Sequence, residues 1–370
     1  MVPISLKLSR CVCSIVLGSL ALCTSLNGQS KDDLQNIAAS GFVDVYYNRN
    51  FADPSTRANK LRNFDIPENQ INLSMAEISL QKKAEPVGFR ITAGFGSTSD
   101  VVHGIAPYGS NSFSALTIFQ QAYLTAVLPL GAGLSVDAGK FATHMGNEVI
   151  ESKENWNYSR SLLFAFAIPY YHTGIRLTYP FSASFSATAH IVNGWNSVVD
   201  NNDQTTLGLT MNYAPSGSTG IILNAIDGVE QPSGVAAGKK SVFDLTITQQ
   251  LTESLSLMLN ADYGQERLST GLPVWKGIAI YGRYLVGARS AVALRGEVFD
   301  DPTGYATGFG IPSLDVRELT GTYEYRFTDA LLLRTEARYD FANSPVFDEK
   351  SSVNVKNGQT TLLLGIVAIF

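Results

Sequence analysis

Residues 331 to 341 read "LLLRTEARYDF", and residues 316 to 327 read "VRELTGTYEYRF". In the first, Arg334, Glu336, Arg338 and Asp340 fall on one side of an extended chain, and Leu331, Leu333, Ala337 and Tyr339 on the other. In the second, Glu318, Thr320, Thr322, Glu324 and Arg326 oppose Leu319, Tyr323, Tyr325 and Phe327. Alternation at period two is the signature of strands with unlike faces. One face is suited to water and the other to an apolar medium. A soluble barrel points its apolar face inward and a membrane barrel points it outward, so the rest of the chain has to decide between them.

The same pattern runs along the sequence in sixteen candidate strands, from "GFVDVYYN" (41 to 48) to "QTTLLLGIVAIF" (359 to 370). The second of them, near 69 to 83, changes parity around Met75 and Ala76, where a bulge or a shorter strand is expected. Connections alternate between tight turns, such as "AEPV", "PLGAG", "PFSA" and "TDA", and segments of a dozen residues or more. Bacterial outer-membrane barrels have short periplasmic turns, long extracellular loops and an even strand number. Sixteen strands also leave a closed barrel with an aqueous channel. Tyr179, Tyr213, Tyr284, Phe327 and Phe370 stand where strands approach the short turns, as an interfacial aromatic girdle requires. The expected fold is therefore all-β, a closed antiparallel transmembrane barrel of about 16 strands.

The final stretch, "TLLLGIVAIF" (361 to 370), is too short for a membrane helix but matches a membrane strand. Its outward face is expected to be Leu362, Leu364, Ile366 and Ala368, and it must pair with the first strand to leave no open edge in lipid. Leu363, Val367 and Ile369 break the alternation, which suggests that other residues cover part of the inner face.

Composition agrees with export to a membrane. Charged residues are 16% of the 370, while Gly, Tyr and Phe number 32, 16 and 19, an inventory of strands and turns. Residues 1 to 28 have Lys7 and Arg10, an apolar run from Cys11 to Leu26, then small polar residues, the order of a secretory signal peptide cleaved between 23 and 30. Residues 29 to 39 form a short polar lead and 40 to 370 the barrel. Cys11, Cys13 and Cys23 all lie in the signal, so the mature chain is expected to carry no disulfide. Without Lys7 and Arg10, 25 basic residues face 32 acidic ones, a net charge of −7 that disfavours nucleic acid as a partner.

Catalytic and metal motifs are not legible. His103, His144, His172 and His190 look scattered, no His, Asp or Glu set has ligand spacing, and no nucleophile elbow or phosphate-binding glycine loop occurs. No cofactor is expected.

Over residues 120 to 181 the chain resembles the bacterial β-barrel porin family described as OmpL-like. Gln121 to Leu124, "AGKF" at 138 to 141, "NYSRS" at 157 to 161 and "HTG" at 172 to 174 carry the likeness, and the resemblance extends over roughly 40 to 370. It implies an outer-membrane channel for small hydrophilic solutes, as a monomer or a homotrimer, inserted by the barrel-assembly machinery through its C-terminal strand. It also implies that the long segment "ATHMGNEVIESKENWNYSRSLLFAFAIP" (142 to 169) folds inward and narrows the lumen. Glu148, Glu151, Lys153, Glu154 and Arg160 are then the constriction residues, facing a lumen wall of Arg90, Arg176, Arg295, Arg334, Arg338 and Glu336. Charges in a narrow pore select solutes by sign and size. The alternative places 148 to 154 in an external, solvated loop. A sugar-selective channel, a surface adhesin or receptor, and a barrel hydrolase are the competing functions.

Overall fold

The computed structural model describes residues 36–104 and 115–370. The expected signal peptide lies outside the described residues, and the first strand takes in the end of the expected polar lead. The strands are β1 (Ile37–Asn50), β2 (Gln70–Lys82), β3 (Val87–Phe95), β4 (Phe119–Leu128), β5 (Leu134–Ala142), β6 (Tyr171–Pro180), β7 (Phe185–Val192), β8 (Thr206–Ser216) and β9 (Thr219–Gly228). They continue as β10 (Ala237–Gln250), β11 (Leu255–Leu268), β12 (Val274–Gly287), β13 (Ser290–Asp301), β14 (Leu314–Thr328), β15 (Leu331–Ala342), β16 (Phe347–Glu349), β17 (Ser352–Lys356) and β18 (Gly358–Ile369). Two short helices, α1 (Ser97–Val102) and α2 (Ala115–Ile118), lie between β3 and β4.

All strands but β16 and β17 close into one antiparallel barrel in which each lies beside its neighbour in sequence. The ring is sealed by β18, which pairs with β15 on one side and β1 on the other, from Phe42 opposite Ile369 to Asn50 opposite Thr361. Closure leaves no strand edge open, the condition for crossing hydrocarbon.

The structure shows which of the two alternating faces is out. On β15, Arg334, Glu336, Arg338 and Asp340 are buried inward, while Ala337 and Tyr339 are exposed. On β18, Leu362, Leu364, Ile366 and Ala368 point outward. On β2 the parity changes across Ser74 and Met75, just where its ladder with β3 begins at Ala76.

Two local expectations differ. The segments 229–236 and 269–273 are shorter than a dozen residues, because β10, β11 and β12 run further than their apolar alternation suggests. The small β16–β17 hairpin in the last long connection has too few residues for a periodic signal.

The interior is not uniformly wet. Leu162, Leu163, Phe164 and Ala167, from the segment after β5, are 0 to 1% exposed and pack against wall residues including Val242, Phe299 and Val316. The barrel therefore contains an apolar cluster that the apolar half of one inward-folded loop forms with inward side chains of many wall strands, from Phe42 on β1 to Val367 on β18.

A loop across the lumen and two cavities

The segment 143–170 leaves β5, enters the barrel and returns to β6, making a 3-10 turn at Ser152–Glu154 and a five-residue π-type turn at Leu163–Ala167. Its backbone is held by carboxylates of the wall. Glu336 accepts the amides of Tyr158 (2.6 Å) and Ser159 (2.9 Å), and Glu297 accepts those of Leu162 (2.6 Å) and Leu163 (2.7 Å). Charge-assisted bonds of this kind are about twice as strong as neutral ones.

Arginines hold the other polarity. Arg295, fully buried, donates to Glu318 (2.6 Å), to Glu148 of the loop (2.7 Å) and to the Ser159 carbonyl (2.7 Å). Arg334 donates to the carbonyls of Ser152 and Asn155 and pairs with Glu324 at 2.7 Å. Arg338 donates to the Arg160 carbonyl at 2.6 Å and pairs with Asp340 at 2.7 Å. Arg160 bonds the carbonyls of Tyr158 and Ile150 within its own loop. Tyr158 donates to Asp44 of β1 at 2.7 Å; burial and that carboxylate push its phenol well above the usual range, so it stays a donor.

Of the wall residues singled out from sequence, Arg295, Arg334, Arg338 and Glu336 thus face inward but lie beneath the loop. Arg90 and Arg176 do not. Together with Glu148, Glu151, Lys153 and Glu154 they line a cavity of about 450 Å³ between the loop and the β1 to β6 wall. Arg176 is braced there by Asp137 (2.6 Å) and by the rings of Phe141 and Tyr123, 4.7 and 5.1 Å from its guanidinium carbon. Glu77, which sequence reading passed over, lines the same cavity; its strand parity past Met75 was the available signal. Arg62 and Phe64 were also missed: the connection after β1 tucks in, with Arg62 on Asp340 at 2.7 Å and the Phe64 ring 5.4 Å from that of Tyr170.

The inner face of β18 is covered by the same loop. Leu363 packs with Tyr46 and Tyr158, and a Cβ on Gly365 would lie 2.5 Å from the Tyr158 ring. Tyr158 is pinned by Asp44 and has nowhere to move. Gly365→Val is expected to destabilise the protein by about 1–3 kcal/mol through overpacking and to displace the loop, raising single-channel current noise. Urea unfolding and bilayer recordings measure both; wild-type values in each would mean the ring does not press on β18.

Three of the four histidines are not scattered as the sequence suggested. His144 stacks on His190 at 4.0 Å between centroids and lies 5.4 Å from His172, because β6 and β7 are neighbours and the loop begins beside them. Burial and the neighbouring imidazoles lower the His144 pKa well below the usual value, so the ring is neutral. Among the described residues no group of three or more His, Cys, Asp or Glu is placed to hold a metal ion.

At the short-turn end, Tyr213, Tyr284, Phe327 and Phe370 are exposed on the outer surface, and Tyr179 is half-buried with its ring 4.9 Å from Phe181. A greasy exterior, an end ring of aromatics and a charged, loop-narrowed interior define a porin-type outer-membrane barrel.

The family follows directly. Residues 36–370 match the family model described as "Putative beta-barrel porin-2, OmpL-like", and the chain belongs to that family. A comparison with curated proteins gives no match. Among solved structures, the anion-selective porin of Comamonas acidovorans is similar at TM-score 0.62 and 11% identity, covering 90% of this chain and 99% of that one. OmpT of Vibrio cholerae in its trimer form gives 0.60 and 11%, with 90% and 99% covered. The channel DcaP of Acinetobacter baumannii gives 0.59 and 11%, with 90% and 97% covered. At these identities the likeness concerns the fold.

Proposed function

We propose that this barrel is a passive channel for small hydrophilic solutes rather than an enzyme, and that the 142–169 loop sets its cutoff. The observation that carries the reading is the cavity of about 450 Å³ in which Glu151, Lys153 and Glu154 of the loop face Arg90 and Arg176 of the wall. Acidic and basic groups across a narrow water-filled gap order dipolar solutes and discriminate ions by sign. In this reading Glu148, Arg160, Arg295, Arg334, Arg338 and Glu336 are the struts that hold the loop in place.

Residues 1 to 28 then act as the secretory signal, the long connections face outward from the cell, and the C-terminal strand ending at Phe370 is what the assembly machinery engages. A homotrimer is the assembly proposed, consistent with the trimer form of the structurally similar OmpT. Chemical crosslinking of the protein extracted from outer membranes tests that state.

Stepwise single-channel currents from refolded protein are the expected result for the channel; a silent bilayer would overturn it. Replacing both Glu151 and Glu154 with Lys is expected to move the zero-current potential in a salt gradient toward anion preference, and Arg90→Glu toward cation preference. Identical potentials in all three proteins would remove these residues from the ion path.

A further inference from the structure

A second cavity, of about 330 Å³, lies on the other side of the inward loop, toward the long connections. Phe166 and Tyr170 of the loop form part of its lining, and Trp195, Asn196, Lys240, Trp275 and Tyr305 face them. Tyr170 of the loop lines both cavities. The volume is within the range of small-ligand sites.

Three of the aromatic residues are anchored by polar contacts. The Trp275 indole donates to the Ala167 carbonyl of the loop at 3.1 Å. The Trp195 amide donates to Glu230 at 2.7 Å. The Tyr305 hydroxyl donates to Glu266 at 2.5 Å and its amide to Asp301 at 3.0 Å. Rings held in this way lose little freedom when a ligand arrives.

The polar groups narrow the ligand class. The Lys240 ammonium lies 3.9 Å from the centre of the Trp195 ring and 5.5 Å from that of Trp275, so a ring-seeking cation finds the place taken. Its charge is balanced by Glu266 at 3.5 Å, with Glu230 close by, which disfavours an anion. Asn196 uses its side-chain oxygen to accept the Tyr170 and Tyr171 amides, and among the described residues its NH2 has no partner. What fits is a molecule with apolar faces for the rings and hydroxyls for Lys240 and Asn196, without net charge.

We propose that this cavity is a binding subsite for a neutral saccharide of one or two rings at the long-connection mouth of the channel. It deepens the channel reading and rests on it, because a sugar seated here lies directly before the loop. Trp195, Lys240 and Asn196 carry recognition, and Trp275 and Tyr305 shape the walls.

Only three tryptophans occur in the chain, Trp156, Trp195 and Trp275, so a Trp156→Phe background confines tryptophan fluorescence to the cavity. In this full-length protein, maltose and cellobiose are titrated by fluorescence and, in bilayers, by block of each variant's own sugar-free current. Saturable binding of at least one of them is expected, weakened about tenfold or more by Trp195→Ala and less by Trp195→Phe, which keeps a stacking face. Absence of saturation with both sugars would overturn the proposal, as would stronger binding of glucuronate or choline, or equal affinity in Trp195→Ala. Fluorescence requires no current: sugar binding without stepwise currents would retain the subsite and reject the channel, whereas currents without sugar binding would do the reverse.

Discussion

Replacing Arg295 with Met is expected to destabilise the barrel by about 3–5 kcal/mol and to raise its conductance, because it removes one side of a buried ion network and leaves the other side unpaired. Arg295 connects three elements that are distant in sequence: Glu318 on β14, Glu148 in the loop, and the loop carbonyl of Ser159. With the guanidinium gone, Glu148 has lost its one ion pair among the described residues, and Glu318 retains Arg338 at 3.5 Å. Methionine fills part of the volume but satisfies none of these oxygens, so the loop is pulled toward solvent and the lumen widens. Glu148→Gln is the gentler companion: it keeps an acceptor for Arg295 and should cost less stability with a smaller rise in current. Urea unfolding followed by heat-modifiable gel mobility gives the stability, and single-channel recordings give the width. Wild-type conductance in an Arg295→Met protein that folds would show that the loop holds its position without this strut.

The second large effect tests the sidedness of the wall through two adjacent residues. Ile78 on β2 is 56% exposed on the outer surface, and Ser79 is buried inward, lining the cavity with Glu77. Ile78→Arg is expected to cost about 2–4 kcal/mol if it lies near the bilayer midplane, since the guanidinium must be drawn out of hydrocarbon. Ser79→Arg places the same group in the water-filled interior beside acidic side chains. It should cost far less stability and reduce conductance instead. Unfolding in lipid vesicles separates the two. Equal costs, or a larger cost at Ser79, would contradict a lipid-facing exterior.

Much of this architecture was readable residue by residue. All sixteen barrel strands were legible because one face is apolar and the other polar, a local property that repeats every second residue. The terminal strand's pairing with the first strand followed from the need to leave no edge, and Phe42 opposite Ile369 realises that pairing. The β16–β17 hairpin escaped because three and five residues carry no period. Leu363 and Val367 looked anomalous on β18 because what covers them, Tyr158 for Leu363 and the main apolar cluster for Val367, is built from other parts of the chain.

The candidate site was legible in its residue types and not in their division of labour. All six wall residues and all five loop residues are charged, and nothing local distinguishes Arg90 from Arg295. Only the folded loop does so, by lying over Arg295, Arg334 and Arg338 and leaving Arg90 and Arg176 beside the open cavity. The histidine cluster and the aromatic walls around Lys240 have the same origin, since they join elements far apart in sequence.

The sequence by itself determined an inside-out cylinder, its strand number, its greasy and charged faces and the identity of its long loop. The tertiary structure decided which charges are tied to loop backbone and which face solute, and it divided the interior into two cavities. The reason is one of range: strand faces are set by neighbours two residues away, whereas a loop's course depends on wall contacts more than a hundred residues distant, such as Glu148 with Arg295.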